Sequence, residues 1–472
     1  MLARRYRCSP TTATDHQPHV RLLRILGVTF GLAVAIGNTI GAGILRTPGE
    51  VASHLQTPWL FIGVWVVGAL YALLGVNALA ELGTMLPRSG AQYVYARHAF
   101  GDYAGFVVGW LDWISTCAST AAISIVIGES IAALVHPLST DKTPLAMATV
   151  VVFTALLLKS TRIGGRSQEI TSLFKTLALA VFIAACFVFG GHAAAARAPN
   201  VTPLATPRGT SLFAGFVLSA QAVIYTYDGW SGPLYFAEEL RDPGRQIPRS
   251  MFGALFAVAA IYLLVNLAFL YVLPVSAMAG SIMPAGQVAT AIFGPRGDTV
   301  VRFVVILALP SAVNACLLMS SRVLFGVSRD GIGPRVATRV NEGGTPTVAL
   351  LASGIVSLLF LATGTFESVI AVAAFFFVAD YALSFLAVFV LRRREPHAPR
   401  PYRAFGHPCT TGLVFAGSIA FLVSAVKEDT RNSLGALGIL VVSYPTFMLM
   451  RRHQSRVERI ERSASEALTP DR

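Results

Sequence analysis

Two short runs of polar and backbone-permissive residues sit in the middle of apolar sequence. The first is Gly37-Asn38-Thr39-Ile40-Gly41-Ala42-Gly43, within the apolar stretch 25–45. Three closely spaced glycines disfavour a continuous helix, and glycine lets another group approach the backbone. Freed N–H groups there, with the N-terminus of a resuming half-helix, suit a carboxylate. The competing reading is Gly37-x-x-x-Gly41 as a helix-packing face. The second run is Tyr225-Thr226-Tyr227-Asp228-Gly229-Trp230-Ser231-Gly232-Pro233. It puts a carboxylate, two glycines and a proline into the apolar stretch 211–237. A charge at bilayer depth costs roughly 2.5–3.5 kcal/mol on insertion scales. Asp228 therefore calls for a protein cation, a proton or the positive end of a ligand. Two interruptions at corresponding places favour a pair of binding breaks over packing alone.

Other polar residues inside apolar stretches are weighed the same way. Lys175 follows a basic loop by only nine residues. It either snorkels to the membrane surface or buries a charge beside the first break. Asp112, Glu129 and Asp380 are acids within spans; such acids either line a substrate pathway, the reading open to Asp112 and Asp380, or sit at the wet ends of long tilted spans, as Glu129 does. Ser311 and Asn314 either face the first break or hydrogen-bond between helices, the second being the plainer expectation. Glu238 and Glu239 lie close in sequence to Arg241, Arg245 and Arg249, which reads as a surface ion-pair network. No phosphate-binding loop of the G-x-x-x-x-G-K-[ST] type is present, and the nine histidines do not pair at ligand spacing. No catalytic residue, metal site or cofactor is expected. The five cysteines, Cys8, Cys117, Cys186, Cys316 and Cys409, are too scattered for a disulfide framework and read as small buried hydrophobes.

The elements that must position these residues follow from composition. The chain has 472 residues, 54% hydrophobic and 13% charged, about half the charge of an ordinary soluble domain at ~25%. That excludes a soluble enzyme and a disordered chain. Apolar stretches fall near 25–45, 58–80, 103–135, 144–158, 168–190, 211–237, 250–273, 299–326, 346–364, 367–391, 408–426 and 434–450. None alternates with period two, so helices are expected and a barrel is not. The sequence before residue 25 reads as a retained polar tail without a cleavage site. The net charge is +13. With both termini placed inside, most basic residues fall on that side, including Arg4, Arg5, Arg162, Arg166, Arg322, Arg329 and Arg392 to Arg394. Arg46, Lys142, Arg197 and Lys427 are among the few left outside. Topology explains these charges, so nucleic acid is not expected as a partner. The expected organisation is a cytoplasmic tail (1–24), a twelve-helix all-α membrane domain (25–450) and a second cytoplasmic tail (451–472).

The chain resembles the amino acid–polyamine–organocation (APC) permeases. The carriers of the resemblance are Gly37 to Ile44 in span 1 and Tyr227-Asp-Gly-Trp230 with Ala237-Glu-Glu239, Asp242-Pro243 and Ile247-Pro248-Arg249. Pro87-Arg-Ser-Gly90 with Tyr93 and Tyr95, Ser328-Arg-Asp-Gly331 and Arg400-Pro-Tyr-Arg403 complete it. The span-6 pattern is similar to that of the L-amino-acid-transporter branch. The resemblance covers about 25–450 and implies a LeuT-like fold, a 5+5 inverted repeat with spans 1 and 6 broken, plus spans 11 and 12. It implies that the span-1 break, Gly37 to Gly43, takes a substrate carboxylate. It assigns the α-ammonium to carbonyls near Tyr225 and Tyr227 in the site formed by Tyr225 and Tyr227 to Trp230, with Tyr225 as an aromatic lid. Lys175 matches a lysine that stands where sodium-coupled members hold an ion.

The function expected from this is secondary active transport of L-amino acids across a cytoplasmic (inner) membrane by alternating access. Coupling is expected through exchange or protons and without sodium. The alternatives are a polyamine or other organic-cation carrier and a non-transporting membrane sensor of amino acids. Partners are the amino acid and the bilayer. The loop 136–143 has no cysteine, so no disulfide-linked accessory subunit is expected.

Overall fold

A computed structural model of the chain describes residues 27–88, 90–135, 142–159, 164–195, 210–341 and 344–468. The N-terminal tail with Cys8, residues 136–141 and Arg162 lie outside the described residues. Among those described the regular structure is helical, apart from one isolated antiparallel bridge between Val340 and Pro346.

The first apolar stretch forms α1 (Val28–Thr39) and α2 (Gly43–His54), bent by 41° across Ile40–Ala42. Next come α3 (Pro58–Met85), α4 (Gln92–Phe100), α5 (Asp102–Leu134), α6 (Lys142–Lys159), α7 (Gly164–Ala195) and α8 (Thr210–Tyr227). Helix α8 stops at the second break. The chain turns through Asp228–Ser231 and continues as a 3-10 segment, Gly232–Glu239. The remaining helices are α9 (Pro243–Val272), α10 (Val275–Met278), α11 (Pro284–Phe293), α12 (Gly297–Ala308), α13 (Pro310–Arg329), α14 (Thr347–Thr363), α15 (Phe366–Arg394), α16 (Cys409–Glu428) and α17 (Thr430–Leu468).

Among the described residues, eight helices are long and apolar enough to cross a bilayer, and nine with the bent α1–α2 pair. About 20 apolar residues suffice for a crossing, so the chain is a multi-pass membrane protein. Lys142–Leu158 and Thr347–Thr363 are shorter apolar helices. The stretch 299–326 contains a division that its hydropathy conceals. α12 hands over to α13 at Leu309–Pro310, with Pro310 opening the new helix, where its missing N–H breaks no intrahelical bond. The last helix also runs past its apolar stretch, to Leu468.

Burial separates centre from rim. Some 78% of the most apolar part of α5 and 72% of α15 is buried, against 22% for α16 and α17. α5 packs on α13, α15, α6 and α14, α1 on α9 and α7, and α2 on α8. Leu70, Val181, Leu359 and Val441 point outward, as a helix surface solvated by lipid requires. Cys117, Cys186 and Cys316 are buried, as small hydrophobes should be. Cys409 is exposed, because it lies at the start of the peripheral α16.

Candidate functional site

The two breaks meet. Gly229 has φ +117°, and a Cβ there would lie 2.7 Å from the Thr39 nitrogen and 2.8 Å from its hydroxyl. Only glycine combines that backbone with that approach. Tyr262 of α9 joins the helix ends. Its hydroxyl donates to the carbonyl of Thr39 (2.6 Å) and also reaches that of Thr226 (3.1 Å). On the α8 side, Thr226 donates to the Thr47 hydroxyl at 2.9 Å, linking α8 to α2. Carbonyls freed by the bend in α1 thus keep partners, as buried backbone must.

Lys175 is buried and donates from Nζ to the Gly37 carbonyl at 3.1 Å. Of its two expected placements, the one beside the first break holds. The sulfur of Cys316 on α13 lies 3.6 Å from Asn38 Oδ1, to which it donates.

Between the breaks lies a cavity of ≈ 40 Å³. Asn38, Thr39, Gly41, Ala42 and Gly43 line it from α1, the break and α2. Tyr225, Thr226, Asp228 and Tyr235 line it from the second break. Asp228 is the only formally charged lining residue among those described. Its Oδ1 accepts from the hydroxyl of Tyr381 on α15. Space is left at Gly41, where a Cβ would come no nearer than 3.8 Å to any neighbouring atom. At Gly43 it would meet the Thr226 hydroxyl at 2.6 Å.

Several expected site residues stand outside this lining. Gly37 and Ile40 belong to the break but do not line the cavity, and Gly229 acts through backbone approach. Tyr227 points into a packed cluster, its ring centroid 6.1 Å from that of Trp65 and 5.1 Å from that of Tyr262. Trp230 lies on the Tyr381 ring at 4.9 Å. Asp112 stands one residue back and accepts from the Tyr235 hydroxyl at 2.6 Å. Asp380 is buried nearby on α15. Ser311 spends its hydroxyl on the Ala308 carbonyl at 2.8 Å, within its own segment, and neither it nor Asn314 lines the cavity.

Sequence reasoning missed Thr116, Ser119 and Ile123 on α5, Cys316 and Met319 on α13, and Phe377 on α15, and it did not assign Thr226 or Tyr235 to the site. The α5 set had a usable signal: Asp112, Thr116, Ser119 and Ile123 recur at helical spacing on one face.

An ionic cluster follows each break in the sequence. At the α2 end Arg46 pairs with Glu129 and, at 2.9 Å, with Glu367, while Lys142 reaches Glu129 at 3.0 Å. Arg46 also lies 4.0 Å over the Phe366 ring, whose other neighbour is Tyr225. Counting charges puts Arg46 on the outer side, and Glu129 is expected near a wet helix end. Both are buried, because helix α2 continues to His54 and draws Arg46 inside. After the second break Glu239 faces Arg322 at 4.0 Å and Glu238 faces Arg329 at 3.4 Å. These partners come from α13. The neighbouring arginines expected to pair do not supply them, and Arg245 instead lies 3.9 Å from Asp242. The 3-10 segment turns both glutamates toward α13.

The surrounding landmarks are pinned as well. Glu81 of α3 takes Arg392 at 2.9 Å and Arg400 at 3.1 Å, and Tyr402 donates to Asn77 at 2.6 Å. Asp330 holds Arg97 at 3.0 Å.

A bent apolar helix packed against a second broken one, around a cavity of mixed polar and apolar lining, fits a carrier's architecture. The family model described as "Amino acid permease" matches residues 26–444. The chain belongs to the amino acid permease family. The permease also matches the serine/threonine exchanger SteT of Bacillus subtilis, 25% identical over 92% of this chain and 98% of that protein. The mouse Asc-type amino acid transporter 1 is 28% identical over 91% of the chain and 82% of its own length. The human large neutral amino acids transporter small subunit 2 is likewise 28% identical, over 91% and 81%. The resemblance to APC permeases of the L-amino-acid-transporter branch therefore holds. The permease stands among transporters and exchangers, not enzymes.

Proposed function

We propose that this permease is a secondary active transporter of L-amino acids in the cytoplasmic membrane, working by alternating access. In this reading the twelve apolar stretches are twelve spans, spans 1–5 and 6–10 form a LeuT-like inverted repeat, and both tails (1–24 and 451–472) are cytoplasmic. The carrying observation is the backbone junction of Gly229 with Thr39 beside a cavity whose only formally charged lining residue, among the described residues, is Asp228. Backbone N–H groups at Gly41 to Gly43 take the substrate carboxylate. Carbonyls at Tyr225 and Tyr227 take the α-ammonium, and Tyr225 covers the bound molecule.

In this reading, loading and release require the walls of the cavity to move. The ion pairs of Arg46 after the first break and of Arg322 and Arg329 after the second are the contacts that opening breaks. Lys175 occupies the place of an ion with its own ammonium, which makes transport independent of sodium. No disulfide-linked subunit is needed in this scheme.

The test is reconstitution in liposomes with labelled amino acids and polyamines, after thermal-shift screening of the same ligands. Saturable amino acid uptake, unchanged when choline replaces sodium, is the expected result. Uptake of polyamines alone replaces the substrate class with organic cations. Binding without uptake replaces transport with sensing, and a strict sodium requirement overturns the role given to Lys175.

A further inference from the structure

A second cavity lies toward the C-terminal end of α2. Its volume is ≈ 350 Å³, within the range of small-molecule sites at roughly 300–1,000 Å³, and it shares no lining residue with the central cavity. Arg46, Glu50, Ser53 and His54 present one face of α2 to it. Gln221 comes from α8, Glu367 from the start of α15 and Asp429 from the junction of α16 and α17, while the connection between α10 and α11 closes one side. The Glu367 side chain is 56% exposed, so the cavity reaches the surface. Its inner wall touches the central site through rings. Arg46 lies 4.0 Å over Phe366, and Phe366 packs edge-on against Tyr225.

Most of the polar groups around it are committed. Arg46 is shared between Glu129 and Glu367, the latter at 2.9 Å, and Lys142 completes that cluster from outside the lining. Ser53 donates to the Gly49 carbonyl at 3.0 Å and accepts from the Gly280 N–H at 2.7 Å. Asn432 donates to both oxygens of Asp429, each at 3.0 Å. Two lining side chains are left over. Among the described residues, no hydrogen bond or ion pair holds the Glu50 carboxylate, and none holds the amide of Gln221, which is only 4% exposed. An unpaired amide at that depth is costly and calls for a partner. Lys427 and Arg431 flank Asp429 in sequence, yet among the described residues neither forms an ion pair with it.

The lining is therefore anionic. The carboxylates of Glu50, Glu367 and Asp429 face a single guanidinium, that of Arg46, which is spent on Glu129 as well. The groups left free accept hydrogen bonds, and a cationic alkylammonium carries three donors and no acceptor. It complements a lining that would repel a carboxylate or a phosphate. Among the described residues, no group of three or more His, Cys, Asp or Glu is arranged to hold a metal ion, which favours an organic cation over a bare one. We propose that this cavity is a binding site for an organic alkylammonium ion, separate from the central site. The Gln221 amide oxygen and the carboxylates of Glu50 and Asp429 hold it. Binding does not rest on the transport reading above; one consequence does. A cation bound here competes with Arg46 for Glu367 and weakens an ion pair that opening breaks.

Melting of the purified protein judges the site, with putrescine, ornithine, leucine and calcium as ligands. Gly41→Val is the background, because its side chain is expected to keep ligand out of the central cavity. Putrescine and ornithine should still stabilise this variant, and leucine should not. Adding Glu50→Gln or Gln221→Leu should weaken the apparent affinity for both amines about tenfold, as loss of one charge-assisted bond does. Asp429→Asn, on a separate element, should report the same loss and decides the matter if either of the others melts early without ligand. No stabilisation of Gly41→Val by either amine, or stabilisation that all three substitutions leave intact, overturns the proposal. A loss that extends equally to leucine overturns the preference for a cation, and calcium acting as the amines do overturns the organic class. Stabilisation by putrescine alone supports a diamine as the ligand; stabilisation by both supports the side-chain ammonium of an amino acid as well. Labelled serine and leucine uptake into liposomes tests the consequence. Putrescine should raise it in wild type and leave Glu50→Gln unmoved. Unchanged wild-type uptake overturns the effect on opening. Absence of any uptake in wild type overturns the transport reading, and melting still decides the site.

Discussion

After the first break an α-helix resumes within three residues, bent by 41°. After the second it does not resume: a turn leads into the 3-10 segment. The first break is built of small residues, and its backbone carbonyls at Gly37 and Thr39 are held by Lys175 and Tyr262. Around the second the side chains Tyr225, Asp228 and Tyr235 enter the cavity wall. One break presents backbone and the other presents chemistry. Backbone groups read what all amino acids share, while side chains distinguish one amino acid from another. Substitutions at the first break, or at the junction, should therefore affect all substrates, and those at the second should sort them.

The junction carries the largest expected effect. Gly229→Ala forces a Cβ onto the Thr39 nitrogen at 2.7 Å with φ at +117°. Strain of that kind costs roughly 1–3 kcal/mol before the clash is counted. The variant should lose thermal stability and all uptake, read by melting of detergent-purified protein beside a transport assay. Wild-type melting with wild-type uptake would mean that the breaks need not touch.

Gly41→Val separates binding from folding more cleanly. The Cβ finds no atom nearer than 3.8 Å, so the added methyl groups enter the cavity and spare the scaffold. The protein should stay folded in the membrane and lose ligand-dependent thermal stabilisation for every substrate. Stabilisation that survives this substitution removes the site from the first break. Gly43→Ala is the contrast, since its methyl strikes the Thr226 hydroxyl and disturbs the link to Thr47.

How much of this was legible depended on whether a residue contradicted its surroundings. Glycines, Asp228 and Lys175 stood out because apolar helices exclude them, and the structure brings them to one place. Thr116 and Ser119 did not, because a hydroxyl inside a helix can satisfy itself on its own backbone, as Thr116 does on the Asp112 carbonyl at 2.8 Å. Tyr227 and Trp230 carried the right motif, yet their rings pack against Trp65 and Tyr381. A pattern in one dimension does not say which way a side chain turns after a helix stops. The burial of Arg46 was hidden for a related reason. Hydropathy falls where α2 turns polar, but the helix continues, and the cost of burying its guanidinium is offset by Glu129 and Glu367 from distant helices. Pairing across such sequence distances leaves no local trace.

Lys175 sharpens the first-break side of the comparison. Lys175→Ala leaves the Gly37 carbonyl without its donor, and an unsatisfied buried group costs about 1–3 kcal/mol. In the proposed alternating-access cycle, the loss falls on a helix that bends and recovers. The transport rate should drop roughly ten- to hundredfold by that energy, with binding less affected, measured as labelled uptake beside ligand thermal shift. Equal losses in both would make the lysine a binding residue alone.

The smallest expected effect is at Asp228, because it concerns only part of the substrate range. The carboxylate lines the cavity, and one of its oxygens already accepts from Tyr381. Asp228→Asn keeps an acceptor for that hydroxyl and removes the charge, so the fold should hold. A charge-assisted contact to an ammonium contributes roughly 1.5–3 kcal/mol, and with Tyr381 sharing the group the lower end applies, about tenfold. Competition against labelled uptake should show Arg, Lys and ornithine weakened by about that factor while Ala, Ser and Leu are unmoved. If all amino acids weaken together, Asp228 faces the α-ammonium, and the second break reads the common part of the substrate just as the first does. If none weakens, recognition belongs to the two backbone breaks, and the contrast between them is one of shape and not of chemistry.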